Sequence, residues 1–550
     1  MKSRLFPISA KIKLASRTLV LLICTLGLFA CSPTRLPEKT LILAMSSEPP
    51  DLNATKATDS ESFFILGHVM EGLTRTGKDG KPAPGVAERW EMTDKGALFH
   101  LRKNARWSDG QAVTAKDFVY AWRTVVDPAN ASEYAFILFP VKNAEKIVGK
   151  KAKPSELGVE ALDDLTLRVT FEKPCGYFLA LTSFASYFPL RQDFHQAQGE
   201  RYGAEADTML YNGPFFLSKW VHGASLGMKK NPHYWNSQVV KLEAIDIPYI
   251  TPDDGARFNL FKNGKIDLVH LSKNTLETAM RERFRMKKFA DGTVYYLEYN
   301  FKSGRLTANK NLRLAIRAVF DPEEYVDKVV SLPGTIPGST LIPSWISGKK
   351  GLFRDDYPIA IKPPDLAAAK RFLASAMSEL KLDTPPSLIW LTGDSPRAAK
   401  EAEYFQNLLK SQLGIELKID KQIFKQRLAK MTAGEFDIVS AGWGPDYNDP
   451  MTFADLFTSW NENNRGLWRN AKYDELIRKA QATTNVAIRM DSMADAEKIL
   501  LDEQPILPLY ESSVVYTQSD QLSGVRRNSV GFDPDYTESE IRRDSSRNTP

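Results

Sequence analysis

Short apolar runs alternate with segments of helical spacing in the last third of the chain. Runs at 387–392, 415–419 and 436–443 predict three strands, because each is short and rich in apolar residues. The segments between them, 396–413 and 422–432, repeat apolar residues every three or four positions and predict helices. This order of strands and helices indicates a parallel, right-handed crossover unit of an α/β fold. In open sheets of this kind, ligands bind beyond the carboxyl ends of the strands.

The ends of the first of these helices are marked by suitable residues. Ser395 can cap its amino terminus, Pro396 fits its first position, and Gly414 follows its last residue. The apolar residues predicted to face inward are Ala402, Phe405, Leu409 and Leu413 in the first helix and Phe424, Leu428 and Met431 in the second.

The third strand runs into an unusual loop, which gives the candidate site. The candidate binding residues in it are Ala441, Gly442, Trp443, Gly444, Asp446 and Tyr447. The two glycines let the backbone approach a ligand closely, and Trp443 offers a flat apolar wall. Asp446 offers one negative charge, which suits an ammonium group. Alternatively, Asp446 only starts the following turn, which is a common use of aspartate.

Weaker patterns precede this unit. Residues 40–45 predict a strand, and residues 62–73 and 115–125 have helical spacing. A polar stretch at 192–209 is typical of a crossing between domains. With 550 residues, the chain exceeds the size of one core, so we expect two or three domains.

The amino terminus has the pattern of a secretory signal. Basic residues without an acid precede an apolar run at 19–29, which is too short to span a membrane comfortably. The run ends in the sequence LFAC, which resembles a lipoprotein cleavage site and predicts a lipidated Cys31 after removal of residues 1–30. Cys24 is a weaker candidate because the bulky Ile23 precedes it. A plain signal anchor is the alternative.

Charge and cysteine content exclude some classes of function. The formal net charge of the whole chain is +6, and the predicted signal carries five basic residues, so the mature chain is close to neutral. Net charge therefore gives no argument for nucleic-acid binding. Cys175 alone remains after the signal and Cys31, so we expect no intramolecular disulfide.

Five sequence blocks occur in an order that resembles a known family. They are EGLTRTGKDGKPAPGVAERWE (71–91), FHLRKNARWSDGQAVTAKDFVYAWRTVVDP (99–128), YNGPFFLSKW (211–220), NPHYWN (231–236) and AGWGPDYNDP (441–450). Together they resemble the extracytoplasmic solute-binding proteins of family 5, the dipeptide- and oligopeptide-binding group of ABC importers. The resemblance runs from about residue 40 to about 515 and implies an α/β, periplasmic-binding-protein-like fold. The implied division is a tether at 31–39, lobe I (40–71, 192–294 and 514–550), domain II (72–191) and lobe III (295–513), with lobes I and III closing on the ligand.

The resemblance also implies a function and site residues. Members of the family bind an extended peptide as an added strand, without a cofactor. Asp446 matches the carboxylate that pairs with the peptide amine, and Tyr134 matches a tyrosine that lines the site. One backbone edge is expected at 441–444 and the other at Thr58, Asp59 and Ser60. The implied partners are ABC permease and ATPase subunits, and the implied state is a monomeric, exported lipoprotein facing the periplasm or the cell exterior.

Several residues depart from the pattern of the peptide binders. Positions that hold basic residues there, for capture of the peptide carboxylate, hold Val330, Ala398, Met431 and Ser440 here. A tryptophan near the middle of the ligand is replaced by Phe424. Carboxylate capture is therefore expected to be lost, unless Arg317 or Arg397 substitutes. A metal chelate, haem, or a modified or cell-wall peptide remains an alternative ligand.

A secreted serine hydrolase is the rival hypothesis. The sequence GASLG at 223–227 fits the G-x-S-x-G pattern around Ser225, which requires a strand before the serine and a helix after it. Pro232 soon follows and opposes a helix, so we expect a hairpin and no catalysis. The six histidines show no paired metal-binding spacing, so we expect no metal site. The tail at 526–550 has the mixed charge of a solvated end.

Overall fold

Three segments of the chain each form sheets of their own. The computed structural model describes residues 39–78 and 80–543, so the predicted signal and Cys31 lie outside it. The names lobe I, domain II and lobe III are kept for the residue ranges that the resemblance implies. The range named lobe I contains a four-stranded sheet of order β1-β10-β9-β8 and a three-stranded sheet of order β11-β19-β12. Domain II contains a four-stranded sheet of order β4-β5-β7-β6. Lobe III is built on a six-stranded sheet of order β14-β18-β13-β17-β15-β16.

The strands, in chain order, are β1 (Thr40–Met45), β2 (Thr74–Thr76), β3 (Pro82–Pro84), β4 (Ala87–Thr93), β5 (Gly96–Leu101), β6 (Val159–Asp163), β7 (Thr166–Thr170), β8 (Phe215–Val221), β9 (Ser225–Lys230), β10 (Ala244–Ile250), β11 (Leu268–Leu271), β12 (Met286–Phe289), β13 (Val294–Tyr299), β14 (Ile336–Pro337), β15 (Ser387–Thr392), β16 (Glu416–Lys421), β17 (Ile438–Trp443), β18 (Ile506–Glu511), β19 (Val514–Gln518), β20 (Leu522–Ser523) and β21 (Glu540–Ile541).

The α-helices, in chain order, are α1 (Ser60–Val69), α2 (Ala115–Val126), α3 (Ala144–Val148), α4 (Phe178–Leu181), α5 (Gln192–Gln198), α6 (Asp254–Lys262), α7 (Lys273–Arg281), α8 (Lys310–Val319), α9 (Pro322–Tyr325), α10 (Phe353–Asp356), α11 (Leu366–Leu380), α12 (Pro396–Leu413), α13 (Phe424–Ala433), α14 (Met451–Ala454), α15 (Ala471–Gln481) and α16 (Val486–Glu503).

The parallel unit predicted from the sequence is confirmed. Strand β15 pairs in parallel with β16 on one side and with β17 on the other. The Ser395 side chain accepts a hydrogen bond from the Ala398 N–H at 3.1 Å, which caps α12 at its amino terminus. Gly414 ends the same helix in the left-handed conformation, with φ of 71°. This unit directs the carboxyl end of β17 into the loop that carries Asp446.

Two hydrophobic clusters organise the part of the molecule around this loop. The larger is continuous from lobe I and domain II into lobe III, where it includes Trp443 and Tyr447. The smaller lies inside lobe III around Trp390 of β15 and Phe405 of α12, and both of these side chains are fully buried. Because the larger cluster crosses from domain II to lobe III, those two parts are in contact in this structure.

Some elements differ from their predicted bounds. Helix α1 begins at Ser60 and ends at Val69, whereas the predicted range was 62–73. Its earlier start follows from Asp59, whose side chain accepts a hydrogen bond from the Ser62 N–H at 2.9 Å. The polar stretch at 192–209 contains a helix, α5, which the sequence pattern did not predict. Within α13, Met431 is buried as expected, but Phe424 is only half-buried.

Within residues 39–78 and 80–543, no helix combines the length and the apolar character that crossing a membrane would require. Over the same residues, no cluster of three or more His, Cys, Asp or Glu side chains is arranged to hold a metal ion.

Candidate functional site

The loop after β17 places Asp446 in the interior. The strand ends at Trp443, and the chain then turns through Gly444 and Pro445. The Asp446 N–H donates a hydrogen bond of 3.1 Å to the hydroxyl of Thr452, which belongs to the short helix α14. Only 7% of Asp446 is exposed. The loop therefore holds a carboxyl group at a fixed position past the end of the strand.

Asp446 lacks a cation of its own. In the part of the chain that the structure describes, none of the ion pairs involves this residue. The Tyr134 hydroxyl, from domain II, lies 3.4 Å from Oδ1, which is long for a hydrogen bond between oxygens. Burial and the nearby Asp455 raise the pKa of Asp446 well above its usual value, and the Tyr134 contact opposes this only weakly. A buried carboxyl of this kind is stabilised in its charged form by an incoming cation.

Two neighbouring acids have different surroundings. Asp449 Oδ1 accepts a hydrogen bond of 2.7 Å from Arg489 Nη2, and both side chains are buried. Asp455 is also buried, and burial together with Asp449 raises its pKa well above the usual value. Among residues 39–78 and 80–543, no lysine, arginine or histidine forms an ion pair with Asp455. Of the three acids in this loop, Asp446 and Asp455 therefore have no counterion among the described side chains.

Aromatic rings from both sides enclose the carboxyl. The Tyr134 ring of domain II and the Trp443 ring of lobe III are stacked, with centroids 6.1 Å apart and an angle of 16°. The Tyr177 and Tyr447 rings form a second stacked pair across the same boundary, at 5.4 Å and 7°. The Arg489 guanidinium lies 4.9 Å from the Tyr177 ring centre. Trp443 Nε1 is buried, and no described residue accepts a hydrogen bond from it, so this N–H is available to a ligand carbonyl.

The backbone of β17 offers an edge to a ligand. Strand β15 pairs with β17 only at Ile438 and Val439, so no described strand covers residues 440–443 on that side. Gly442 is exposed, and a Cβ atom there would lie 3.0 Å from the Tyr295 ring on the neighbouring strand β13. Glycine at this position allows the Tyr295 ring and a ligand to approach the same stretch of backbone.

The predicted second edge, residues 58–60, is connected to the site by the Phe63 ring. Asp59 is buried, and its side chain is committed to capping α1, with bonds to both the N–H and the hydroxyl of Ser62. Thr58 is half-buried and Ser60 is exposed. The Phe63 ring of the same helix lies 5.7 Å from the Tyr134 ring, edge to face. The backbone at 58–60 therefore stays a predicted contact, whereas the Asp59 carboxylate has a structural use.

A cation that the sequence reasoning did not identify lies beside the exposed edge. Arg427 Nη1, on α13, donates a hydrogen bond of 2.9 Å to the carbonyl oxygen of Ser440, and the guanidinium lies 5.6 Å from the Phe424 ring centre. Arg427 Nε is buried and has no hydrogen-bond partner. Arg427 lies three positions after Phe424 and therefore shares a helix face with it. That spacing was the signal in the sequence that could have identified Arg427.

The other basic candidates are placed differently. Arg397 Nη1 donates to the Tyr510 hydroxyl at 2.6 Å, and its guanidinium lies 4.9 Å from the Tyr295 ring centre. Arg317 donates to the carbonyl oxygens of Phe320 and Lys362, in a different part of lobe III. Of the uncharged positions, Val330 and Met431 are buried, and Ala398 and Ser440 are half-buried. Positive charge is therefore present near the edge, although position 440 itself is uncharged.

Polar contacts join domain II to lobe III around the site. Glu133, next to Tyr134, accepts hydrogen bonds from Arg465 Nη2 at 3.0 Å and from the Thr432 hydroxyl at 3.1 Å. Asn463 donates to the Glu133 carbonyl oxygen at 3.3 Å. A more exposed pair joins Arg478 and Glu145 at 2.7 Å. These contacts, with the stacked rings, show that the two parts close over the loop.

The geometry around Ser225 does not fit a hydrolase nucleophile. Ser225 is the first residue of β9, and it pairs with Val221 at the turn of the β8–β9 hairpin. A nucleophile elbow needs a helix directly after the serine, whereas a strand follows here. The hairpin expected from Pro232 and its surroundings is thus confirmed.

Comparison with known proteins gives consistent matches. The family model "Bacterial extracellular solute-binding proteins, family 5 Middle" matches residues 81–465. The chain is 31% identical over 498 residues to the dipeptide-binding protein DppE of Bacillus subtilis, covering 90% of this chain and 91% of that protein. The structure of Listeria monocytogenes OppA bound to peptide matches with a TM-score of 0.86 and 33% identity, covering 92% of this chain and 99% of that one.

Two structures of one relative indicate the state of the lobes. A structure of the murein tripeptide-binding protein MppA of Escherichia coli matches with a TM-score of 0.82 and 28% identity, covering 92% of this chain and 99% of that one. The unliganded open form of MppA matches with a TM-score of only 0.61 and 27% identity, covering 93% and 98%. This chain is therefore less similar to the open form of MppA than to the other MppA structure, which agrees with the contacts between domain II and lobe III.

These matches confirm the predicted fold, in which α/β lobes of the periplasmic-binding-protein type are joined by an additional domain. Coverage of the relatives and of the solved structures is nearly complete in both directions. The chain belongs to the bacterial extracellular solute-binding proteins of family 5.

Proposed function

We propose that this protein is the substrate-binding component of an ABC importer and that it binds peptides through their free amino group at Asp446. The relatives named above are a dipeptide-binding protein, a peptide-bound OppA and a murein tripeptide-binding protein. The observation that carries the proposal is the Asp446 carboxyl, which is buried, lacks a counterion among the described side chains and follows an uncovered strand edge.

The proposed binding mode follows from the edge of β17. A peptide running along residues 440–444 would add a strand and exchange main-chain hydrogen bonds with it. Its amino terminus would lie at Asp446, between the Tyr134 and Trp443 rings. Main-chain bonds do not depend on side-chain identity, so we expect several peptides to bind and to be recovered intact.

Calorimetry with matched peptides tests the role of Asp446. Removing one member of a buried ion pair costs roughly 3–5 kcal/mol, which is on the order of a hundredfold or more in affinity. Asp446→Asn should weaken free-amine peptides by that factor, and N-acetylated peptides should bind the parent weakly with little further loss in the variant. Asp502→Asn, which changes an exposed acid of lobe III, is the matched control. Equal affinity of parent and Asp446→Asn for free-amine peptides would refute the role.

The same proposal includes a lipid anchor at Cys31 and ABC permease and ATPase subunits as partners, with the protein acting as a monomer outside the cytoplasm. The support is the basic and apolar amino terminus with its LFAC sequence. One acyl chain binds membranes only marginally, so at least two are expected. Cys31→Ser should move the protein from the membrane fraction to the soluble fraction, and unchanged membrane retention would argue against the anchor.

A further inference from the structure

A cavity lies between domain II and lobe III, next to the Asp446 loop. The space in it that a water-sized sphere can enter is about 60 Å³. One water needs about 10–15 Å³ by this measure, so the cavity has room for the few heavy atoms at the end of a side chain. Its walls include the rings of Phe136, Tyr177 and Tyr447, the thiol of Cys175 and the carboxyl of Asp455. Charged side chains such as Glu145 and Arg478 lie around it as well.

Asp455 lines this cavity and has no counterion among the described side chains. Only 6% of the residue is exposed, and none of the ion pairs found in residues 39–78 and 80–543 includes it. Asp449, the nearest acid with a partner, is already paired with Arg489. An acid kept in such surroundings is stabilised by a cation that arrives with a ligand.

The basic side chains that line the cavity do not neutralise Asp455. Arg478 Nη2 lies 2.7 Å from Glu145, and its guanidinium lies 4.0 Å above the Trp460 ring. Lys173 is exposed at the rim, where water screens its charge. The walls near Asp455 include the stacked Tyr177 and Tyr447 rings, and the Arg489 guanidinium already lies 4.9 Å from the Tyr177 ring centre. The cavity therefore combines one buried negative charge with apolar and aromatic walls.

We propose that Asp455 is a second cation subsite, which receives the charged side chain of a lysine or arginine at the amino-terminal end of the peptide. The inference rests on the proposed function, because it requires that Asp446 hold the ligand's amino group. One ammonium group can neutralise only one of the two unpaired acids. A basic first residue supplies the second positive charge, and its alkyl stem can lie against the edge of the stacked tyrosine rings.

The positions of the two acids support this assignment. They lie on one continuous segment, 446–455, which contains the turn and helix α14. Tyr447, the residue directly after Asp446, forms part of the cavity wall. On the opposite side, Tyr134 contacts Asp446, and its ring is stacked on Phe136 of the cavity wall at 5.5 Å. A ligand held at Asp446 therefore lies next to the cavity that contains Asp455.

Calorimetry on the mature protein with four peptides tests the subsite. The peptides differ only in their first residue, which is lysine, Nε-acetyl-lysine, norleucine or alanine, followed by three alanines. In the parent, the lysine peptide should bind about tenfold or more tightly than the norleucine and acetyl-lysine peptides, as a buried charge pair requires. In Asp455→Asn, that preference should fall to about onefold, with norleucine and alanine peptides nearly unchanged.

The outcomes separate this inference from the proposed function. Equal binding of lysine, acetyl-lysine and norleucine peptides to the parent overturns the subsite even if Asp455→Asn fails to fold. If Asp446→Asn still weakens all free-amine peptides in that case, the proposed function stands alone. If the lysine preference is present and persists in folded Asp455→Asn, the charge is read elsewhere and the assignment is wrong. If none of the peptides binds the parent, both proposals fail.

Discussion

Arg489 Nη2 lies 2.7 Å from Asp449 Oδ1, and this pair neutralises the middle one of three acids in the loop after β17. Asp446 and Asp455 lie on either side of it in sequence, and both are buried. Asp449 is thus neutralised by Arg489, whereas Asp446 and Asp455 have no counterion among the described side chains and can pair with a cation of the ligand. Four predictions follow from this and from the contacts around it.

The ligand-free protein should be more stable with Asp446 replaced by asparagine. Burial raises the pKa of Asp446 well above its unfolded value of about 3.9. An acid with a raised pKa in the folded state lowers stability at pH values above its unfolded pKa, and the cost grows until the pH passes the folded pKa. Asp446→Asn should therefore be more stable than the parent by about 1 kcal/mol or more at pH 7.5. The difference should shrink toward pH 4.

Thermal unfolding of ligand-free parent and variant between pH 4 and 8 measures this difference. Titrating groups distant from Asp446 cancel in the comparison, whereas the titration of the neighbouring Asp455 changes with the substitution. Asp502→Asn controls for loss of an exposed charge in the same lobe. A parent that is more stable than Asp446→Asn at every pH would contradict the unpaired state of the carboxyl.

Peptide binding should release protons. In the ligand-free protein, the raised pKa of Asp446 keeps part of the population protonated, and pairing with an ammonium requires the charged carboxylate. Calorimetry in buffers of different ionisation enthalpy should show release of up to about one proton per free-amine peptide near pH 6. The release should be absent in Asp446→Asn. Proton uptake by the parent would show that another group controls binding.

Glu133 should contribute to affinity without touching the peptide. Its carboxylate joins domain II to Arg465 and Thr432 of lobe III, and these contacts form only when the two parts are together. Glu133→Gln should raise the Kd for all peptides by about three- to tenfold, since a ligand must then supply more of the free energy of closure. Calorimetry with two unrelated peptides measures this change in Kd.

The pair between Arg478 and Glu145 provides the matched control for that experiment. It crosses the same boundary, but its side chains are 42% and 48% exposed. Exposed ion pairs typically contribute about 0.2–1 kcal/mol, so Glu145→Gln should raise the Kd of peptides with an uncharged first residue by no more than about fivefold, and by less than Glu133→Gln does. If the two substitutions have equal effects, Glu133 has no special part in holding domain II against lobe III.

Arg427 should make short peptides sensitive to amidation of their carboxyl terminus. Its guanidinium is bonded to the Ser440 carbonyl oxygen and has a free, buried Nε. Residues 440 and 444 are about 13 Å apart along a strand, so a peptide of about four residues with its amine at Asp446 ends near Arg427. Amidation of such a tetrapeptide should weaken binding to the parent by about tenfold and have little effect in Arg427→Gln.

A series of longer peptides serves as the control, because their carboxylates would extend past Arg427. Amidation of an octapeptide should therefore matter little in either protein. If amidation has no effect on the tetrapeptide, the expectation drawn from Val330, Ala398, Met431 and Ser440 holds and the carboxylate is not captured.

The sequence predicted the features that depend on local signals. The cap at Ser395, the end of α12 at Gly414 and the parallel pairing of β15 with β16 and β17 are all as expected. The position of Asp446 past the end of β17 follows from the same signals. Each of these depends on residues near one another in the chain, where spacing and residue type carry the information.

The sequence did not predict features that depend on distant segments meeting. Asp455 has the pattern of an ordinary polar residue after a short helix, and the sequence does not show that residues of domain II and lobe III together form a cavity beside it. The spacing of Arg427 from Phe424 places both residues on one helix face, but it does not show that this face meets Ser440 of β17. The backbone at residues 58–60 stays a predicted ligand contact, and the capping of α1 by the Asp59 side chain is a feature that the sequence reasoning did not state.

The stacking of Trp443 on Tyr134 gives the protein an intrinsic optical signal. Trp443 belongs to lobe III and Tyr134 to domain II, and Trp443 is only 8% exposed. Separation of the two parts would bring water to the indole and change its fluorescence emission. Closure can therefore be followed in real time in the unlabelled protein, with Trp443→Phe to identify the signal that arises at the site.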